Sequence, residues 1–165
     1  MDTPNHQQYT ASSDKTYNQM RCLQINLQHS RFVTDNLMNI IEKDEIGITF
    51  IQEPYLYRNR YVGINKKYRI FSSRIDQNRA AIVFSNSKID AILVTNLTNK
   101  DAVLIEVVHG KMRFFAASLY FDIDIPIENC LAKIEEKLQF TNGAKLIIAV
   151  DMLYSTQEAG YWKNF

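Results

Sequence analysis

Between Tyr68 and Phe121 five runs rich in β-branched and aromatic residues follow one another, YRIFSS, AAIVFS, AILVTNL, AVLIEVV and MRFFAASLYF, with only short polar breaks between them. Breaks that short, such as NKD and the His109-Gly110 turn, lead several of these runs to pair as antiparallel hairpins. The flanks follow a different rule. RCLQIN alternates like a half-buried strand, and Ser30 to Asp44 then places Val33, Leu37, Ile40 and Ile41 at helical spacing, with Ser30 as the N-cap. ITFIQ follows as a buried strand that Pro54 brings to an end, which completes a β-α-β opening. Near the other end Pro126 opens a helix with Ile127, Leu131, Ile134 and Leu138 on its apolar face, Asn142-Gly143 closes it with a left-handed cap, and KLIIAV is another buried strand. Hairpins in the middle of the chain exclude an all-parallel doubly wound sheet. The expected fold class is α/β, with two sheets packed face to face and helices outside.

With 165 residues, 46% of them hydrophobic, the chain suits one domain with a substantial core. The first twenty residues contain no Leu, Ile, Val or Phe, so 1–20 reads as a disordered polar tail and 21–165 as the domain. No apolar run approaches the roughly 18 residues that span a bilayer, which predicts a soluble protein without a membrane partner. Cys22 and Cys130 lack zinc-site spacing and read as reduced core thiols, Cys22 in a buried strand, in a nuclear or cytoplasmic protein.

A net charge of +1 excludes a histone-like binder, so a charge-driven partner has to meet a local patch. Such a patch is visible. Arg58, Arg60, Lys66, Lys67, Arg69, Arg74 and Arg79 face Asp76 alone, giving that stretch +6 and leaving the remainder at −5. Tyr55, Tyr57, Tyr61 and Tyr68 are interleaved with it, a composition suited to phosphate neutralisation with aromatic support. The bland alternative is a solvated edge strand guarded by Lys and Arg.

Four polar residues stand where predicted strands end: Asn26, Glu53, Tyr120 and Asp151. Each taken alone is read most simply as a solvated strand terminus. Together they match the needs of phosphodiester cleavage, which requires a hard cation on oxygen ligands, a group to orient water, and donors on the phosphate. Glu53 and Asn26 suit the metal, Asp151 the water and Tyr120 the phosphate.

LQINLQHS, IQEPYLYRNR, RAAIV, AASLYFD and AKLIIAVD, in this order and at these intervals, resemble the endonuclease domain of non-LTR retrotransposons. That domain is a branch of the endonuclease/exonuclease/phosphatase superfamily, which includes the apurinic-site nucleases. The resemblance runs from Arg21 to about Asp151. It implies a four-layered, DNase I-like α/β sandwich, dependence on Mg²⁺ or Mn²⁺, and nicking of DNA for target-primed reverse transcription beside a reverse transcriptase module. By the same resemblance Asn26 is the asparagine of the first motif and Glu53 the metal-binding glutamate. Tyr120 is the phosphate-contacting tyrosine and Asp151 the aspartate that positions the nucleophilic water. Arg58, Arg60, Lys66 and Lys67, directly after Glu53, are the DNA-binding candidates.

The pattern then departs from the family. D-x-N is expected at Asp151, and this chain has Asp151-Met152-Leu153, whose leucine offers no side-chain hydrogen bond. After it come YSTQEAGYWKNF and no counterpart of the family's closing strands or its late aspartate–histidine pair. The expectation is therefore a domain incomplete at its C-terminus and impaired in cleavage. The alternatives are a non-catalytic nucleic-acid- or protein-binding remnant, or a phosphoesterase acting on a small substrate. His29, near the rim, reads as a solvent-facing residue before the helix cap, with a catalytic part as the lesser alternative.

Overall fold

Strand β1 (Arg21–Asn26) enters helix α1 (Arg31–Lys43) through Ser30, whose side chain accepts the Val33 amide as the N-cap. The helix returns the chain to β2 (Ile46–Gln52), which lies parallel to β1. These features come from a computed structural model that describes residues 20–74, 77–87 and 89–152. The tail assigned to 1–20 therefore lies, apart from Met20, outside the described residues, as do Asp76, Leu153 and the segment after it.

A small hairpin, β3 (Leu56–Tyr57) and β4 (Arg60–Tyr61), follows, and then β5 (Arg69–Phe71), β6 (Ala80–Phe84) and β7 (Asp90–Leu93). The hairpin was not legible in the sequence because its two turn residues are Arg58 and Asn59, both left-handed without a glycine. The last residues of AILVTNL leave the sheet for a 3₁₀ turn, Thr95–Leu97. β8 (Ala102–His109) and β9 (Met112–Phe121) form the long antiparallel hairpin, after which α2 (Ile127–Thr141) leads into β10 (Leu146–Met152), parallel to β9. The left-handed cap falls on Asn142, with φ of 46°.

The strands form two mixed four-stranded sheets, ordered β1-β2-β6-β5 and β10-β9-β8-β7. Side chains alternate between the faces. Ile82 and Phe84 of β6 meet Val103 and Ile105 of β8 between the sheets, whereas Ala81 and Val83 face Leu37 and Ile41 of α1. Leu104 of β8 and Leu119 of β9 face Cys130 and Ile134 of α2. The order is helix, sheet, sheet, helix. That is why the central strands read as unbroken apolar runs, since both of their faces are buried.

Two expectations are corrected. Cys22 is exposed, because among the described residues β1 is an edge strand that pairs only with β2. On α2 the buried residues are Cys130, Lys137 and Thr141, while Leu131 and Leu138 are 57% and 52% exposed. The helix is rotated so that its sheet-facing stripe runs through Cys130 and Ile134, which brings the Lys137 stem inside. The Lys137 ammonium donates to the Lys133 carbonyl, and burial holds its pKa below the ordinary lysine range. Among the described residues no helix is long and apolar enough to cross a membrane.

Candidate active site

Both sheets contain one parallel pair, and the two pairs present their C-terminal ends at the same rim. In the first sheet Asn26 of β1 stands opposite Gln52 of β2, with Glu53 next in the chain. In the second, Asp151 of β10 stands opposite Tyr120 of β9. Two hydrogen bonds join the rims across the sandwich: Asn26 Nδ2 donates to Asp151 Oδ2 at 2.5 Å, and the Tyr120 hydroxyl donates to Glu53 Oε1 at 3.1 Å. A third link, from Gln24 Nε2 to the Val150 carbonyl at 2.7 Å, closes the side where the two edge strands run. All four residues singled out in the sequence are thus in one place.

The orientation of each group has a cause. Asn26 Oδ1 accepts the Gln28 amide at 2.7 Å, which turns the side-chain NH₂ toward Asp151. Glu53 has left-handed backbone, φ 47°, held by its own amide on the Arg79 carbonyl and by its carbonyl on the His29 amide, each at 2.9 Å. Gln28, His29, Arg58, Asn59 and Gln77 around the same rim also have positive φ. Strain of this kind persists where surrounding contacts over-determine it, and it concentrates at working sites. Tyr120 is only 4% exposed; burial first, and the bond to Glu53 second, push its pKa up to about 12, so it is a protonated donor.

No protein-family model and no curated protein sequence matches the chain. Solved structures do. The endonuclease domain of TRAS1, a telomere-specific non-LTR retrotransposon, is similar with a TM-score of 0.70 and 28% identity, over 81% of this chain and 58% of that one. TDP2 from D. rerio, complexed with a single-strand DNA product, has a TM-score of 0.58 and 16% identity, over 85% of this chain and 63% of that one. An endonuclease/exonuclease/phosphatase from Bacteroides vulgatus has a TM-score of 0.56 and 13% identity, over 84% of this chain and 66% of that one. The chain has the endonuclease/exonuclease/phosphatase fold. It spans about three fifths of the length of these structures.

Within this endonuclease/exonuclease/phosphatase sandwich the side chains of the basic stretch lie in different surroundings. Arg58 lies over the Tyr57 ring on an open cleft of about 560 Å³, which is also lined by His29, Tyr55, Asn78, Arg79 and Lys100. Arg60 and Lys66 are exposed. Lys67 pairs at 3.1 Å with Glu42 in the last turn of α1, the end of the helix away from the rim. Arg69 turns inward instead, donating to the Ile89 carbonyl and lying over Phe71 and Phe84.

Arg79 is the residue whose part the sequence did not disclose. Its guanidinium pairs with Asp101 at 2.6 Å and with Asp122, and it lies 4.7 Å from the centre of the Tyr120 ring. The hydrogen bond to Asp101 is the largest of several causes holding the Arg79 pKa above its ordinary range, and the Asp122 carboxyl is lowered by Arg79 in turn. The one signal available was its place at the start of RAAIV, opposite the rim strand β2. As a cation holder the site fits a hard divalent ion. Glu53 would give such an ion one carboxylate and Asn26 the remaining lone pair of the Oδ1 that accepts from Gln28, with water completing its shell. Among the described residues no three His, Cys, Asp or Glu side chains cluster into a fuller metal site.

Proposed function

We propose that this chain is the endonuclease-like domain of a non-LTR retrotransposon polyprotein, a metal-dependent phosphodiesterase that nicks one strand of DNA to prime reverse transcription. The observation that carries the reading is the pair of cross-sheet hydrogen bonds, Asn26 to Asp151 and Tyr120 to Glu53, which gather carboxylates, an amide and a protonated phenol beside a cationic cleft. Glu53 and Asn26, with water, would hold Mg²⁺ or Mn²⁺, whose chemistry when bound would be charge neutralisation at the phosphate.

This chain's residues do the rest. Asp151 keeps one carboxylate oxygen for a water once Oδ2 has accepted from Asn26, so it orients that water and takes its proton. The water oxygen bonds to phosphorus as the P–O3′ bond breaks, and the departing O3′ takes a proton from solvent, leaving a 5′ phosphate and a 3′ hydroxyl. With substrate in the cleft the single Tyr120 O–H turns from Glu53 to a phosphate oxygen, while Arg58 and Lys100 neutralise flanking phosphates. Leu153 occupies the place of a donor in the family's D-x-N, and loss of one such donor costs about 10²–10³ in rate, so nicking is slow.

The test is conversion of supercoiled plasmid to nicked circles with Mg²⁺ or Mn²⁺. The expected result is weak nicking that both Glu53→Gln and Asp151→Asn abolish. Nicking indifferent to both substitutions overturns the reading. Leu153 also favours a second reading, a non-catalytic DNA-binding domain, and DNA binding through Arg58 without any nicking decides for it.

A further inference from the structure

His29 stands at the rim in a geometry that its reading as a solvent-facing residue does not explain. Its Nδ1 lies 3.1 Å from the Pro54 carbonyl oxygen. A carbonyl can only accept, so Nδ1 carries the proton and Nε2 of the neutral ring presents a lone pair. That nitrogen is 3.7 Å from Glu53 Oε1. The two residues are also tied through their backbones, His29 amide to Glu53 carbonyl at 2.9 Å, and both hold left-handed φ, 51° and 47°. A non-glycine residue stays there only where surrounding contacts hold it. The side chain is 59% exposed on the wall of the cleft, open to an entering ion.

We propose that His29 Nε2 is a ligand of the divalent cation that Glu53 holds, an inference that rests on Glu53 being the cation site. A histidine that binds metal ordinarily gives its other ring N–H to a carbonyl or carboxylate, which sets the tautomer and aims the ring. Pro54 does this here. Two donors each about 2.1 Å from one cation stand about 3.0–3.6 Å apart for angles between 90° and 120°. The observed separation lies just outside that range, and a small rotation of an exposed ring covers the difference. The consequence is a preference: one imidazole among oxygen donors raises affinity for Co²⁺ or Zn²⁺ over Mg²⁺, which favours oxygen ligands alone.

The experiment loads the full chain with Mn²⁺ and records pulsed electron paramagnetic resonance. Wild type is expected to show coupling to a directly bound ¹⁴N, replaced by ¹⁵N coupling when the protein is grown on ¹⁵N-histidine. His29→Gln removes the coupling and weakens Mn²⁺ binding by at least the roughly 10–100-fold that follows loss of a ligand's supporting hydrogen bond. The isotope arm needs no substitution, so it holds even where the variant folds poorly. Mn²⁺ binding that Glu53→Gln abolishes, but without nitrogen coupling, overturns the part given to His29 and leaves Glu53 as the cation site. Coupling that persists in His29→Gln also overturns it. Absence of Mn²⁺ binding to wild type overturns both.

Discussion

The Tyr120 hydroxyl donates to Glu53 Oε1 across 3.1 Å, joining two sheets and two residues 67 positions apart. Neither group is placed by its own strand alone. Tyr120 is aimed by the Arg79 guanidinium on its ring, and Glu53 is set by the backbone bond to Arg79. Arg79 therefore touches both partners.

Tyr120→Phe removes the donor and leaves the ring. We expect a stability loss of about 0.5–1.5 kcal/mol in urea unfolding, since Glu53 keeps access to water. The pH dependence has a definite sign. The folded phenol titrates near 12, above the unfolded value, so the stabilisation is complete below about pH 10 and is lost as pH rises toward 12. Alkaline difference absorbance should show one tyrosine ionising late in wild type and none so late in Tyr120→Phe.

Arg79→Met leaves Asp101, which is only 7% exposed, without its partner. A loss of about 2–4 kcal/mol is expected from breaking a largely buried pair. Arg79→Lys should recover only part of it, because a lysine cannot reach two carboxylates in a fork. In wild type the lowered Asp122 carboxyl contributes stability above the ordinary carboxylate range and loses it as pH falls through its own lower value. A pH series of denaturant midpoints should show that acid limb flattened in Arg79→Met; an unchanged limb would contradict the pairing.

Asn26 and Asp151 should be energetically coupled. A double-mutant cycle with Asn26→Ala and Asp151→Ala is expected to give an interaction energy of about 0.5–3 kcal/mol, and additive losses would deny the cross-sheet bond.

DNA binding should separate the cations by position. Arg58→Ala and Lys100→Ala, both on the cleft, should each lower the slope of log affinity against log salt by about 0.9 on duplex DNA. Lys67→Ala, paired with Glu42 at the far end of α1, should leave the slope unchanged. Fluorescence anisotropy at several salt concentrations distinguishes the two groups.

Local sequence signals placed the long strands and both helices in order, without the β3–β4 hairpin, and marked the strand ends on which Asn26, Glu53, Tyr120 and Asp151 stand. Alternation, helical spacing, Pro54 and the Asn142-Gly143 cap are local signals, carried by residues within a few positions of each other. What depends on pairings between distant segments emerged with the folded chain. Cys22 is exposed because β1 lies at a sheet edge, and the sheet-facing stripe of α2 runs through Cys130 rather than Leu131 because of how the helix meets β8 and β9. The basic stretch carries one sign of charge in the sequence, yet Arg69 and Arg79 turn inward to carbonyl, carboxylate and aromatic partners while Arg58 faces the cleft. A long cationic side chain takes whichever partner the surrounding chain brings within reach, and those partners, Ile89, Asp101 and Asp122, arrive from strands and loops far along the sequence. His29 shows the same limit. Its address beside Glu53 follows from parallel pairing of β1 and β2, which no spacing within either strand records.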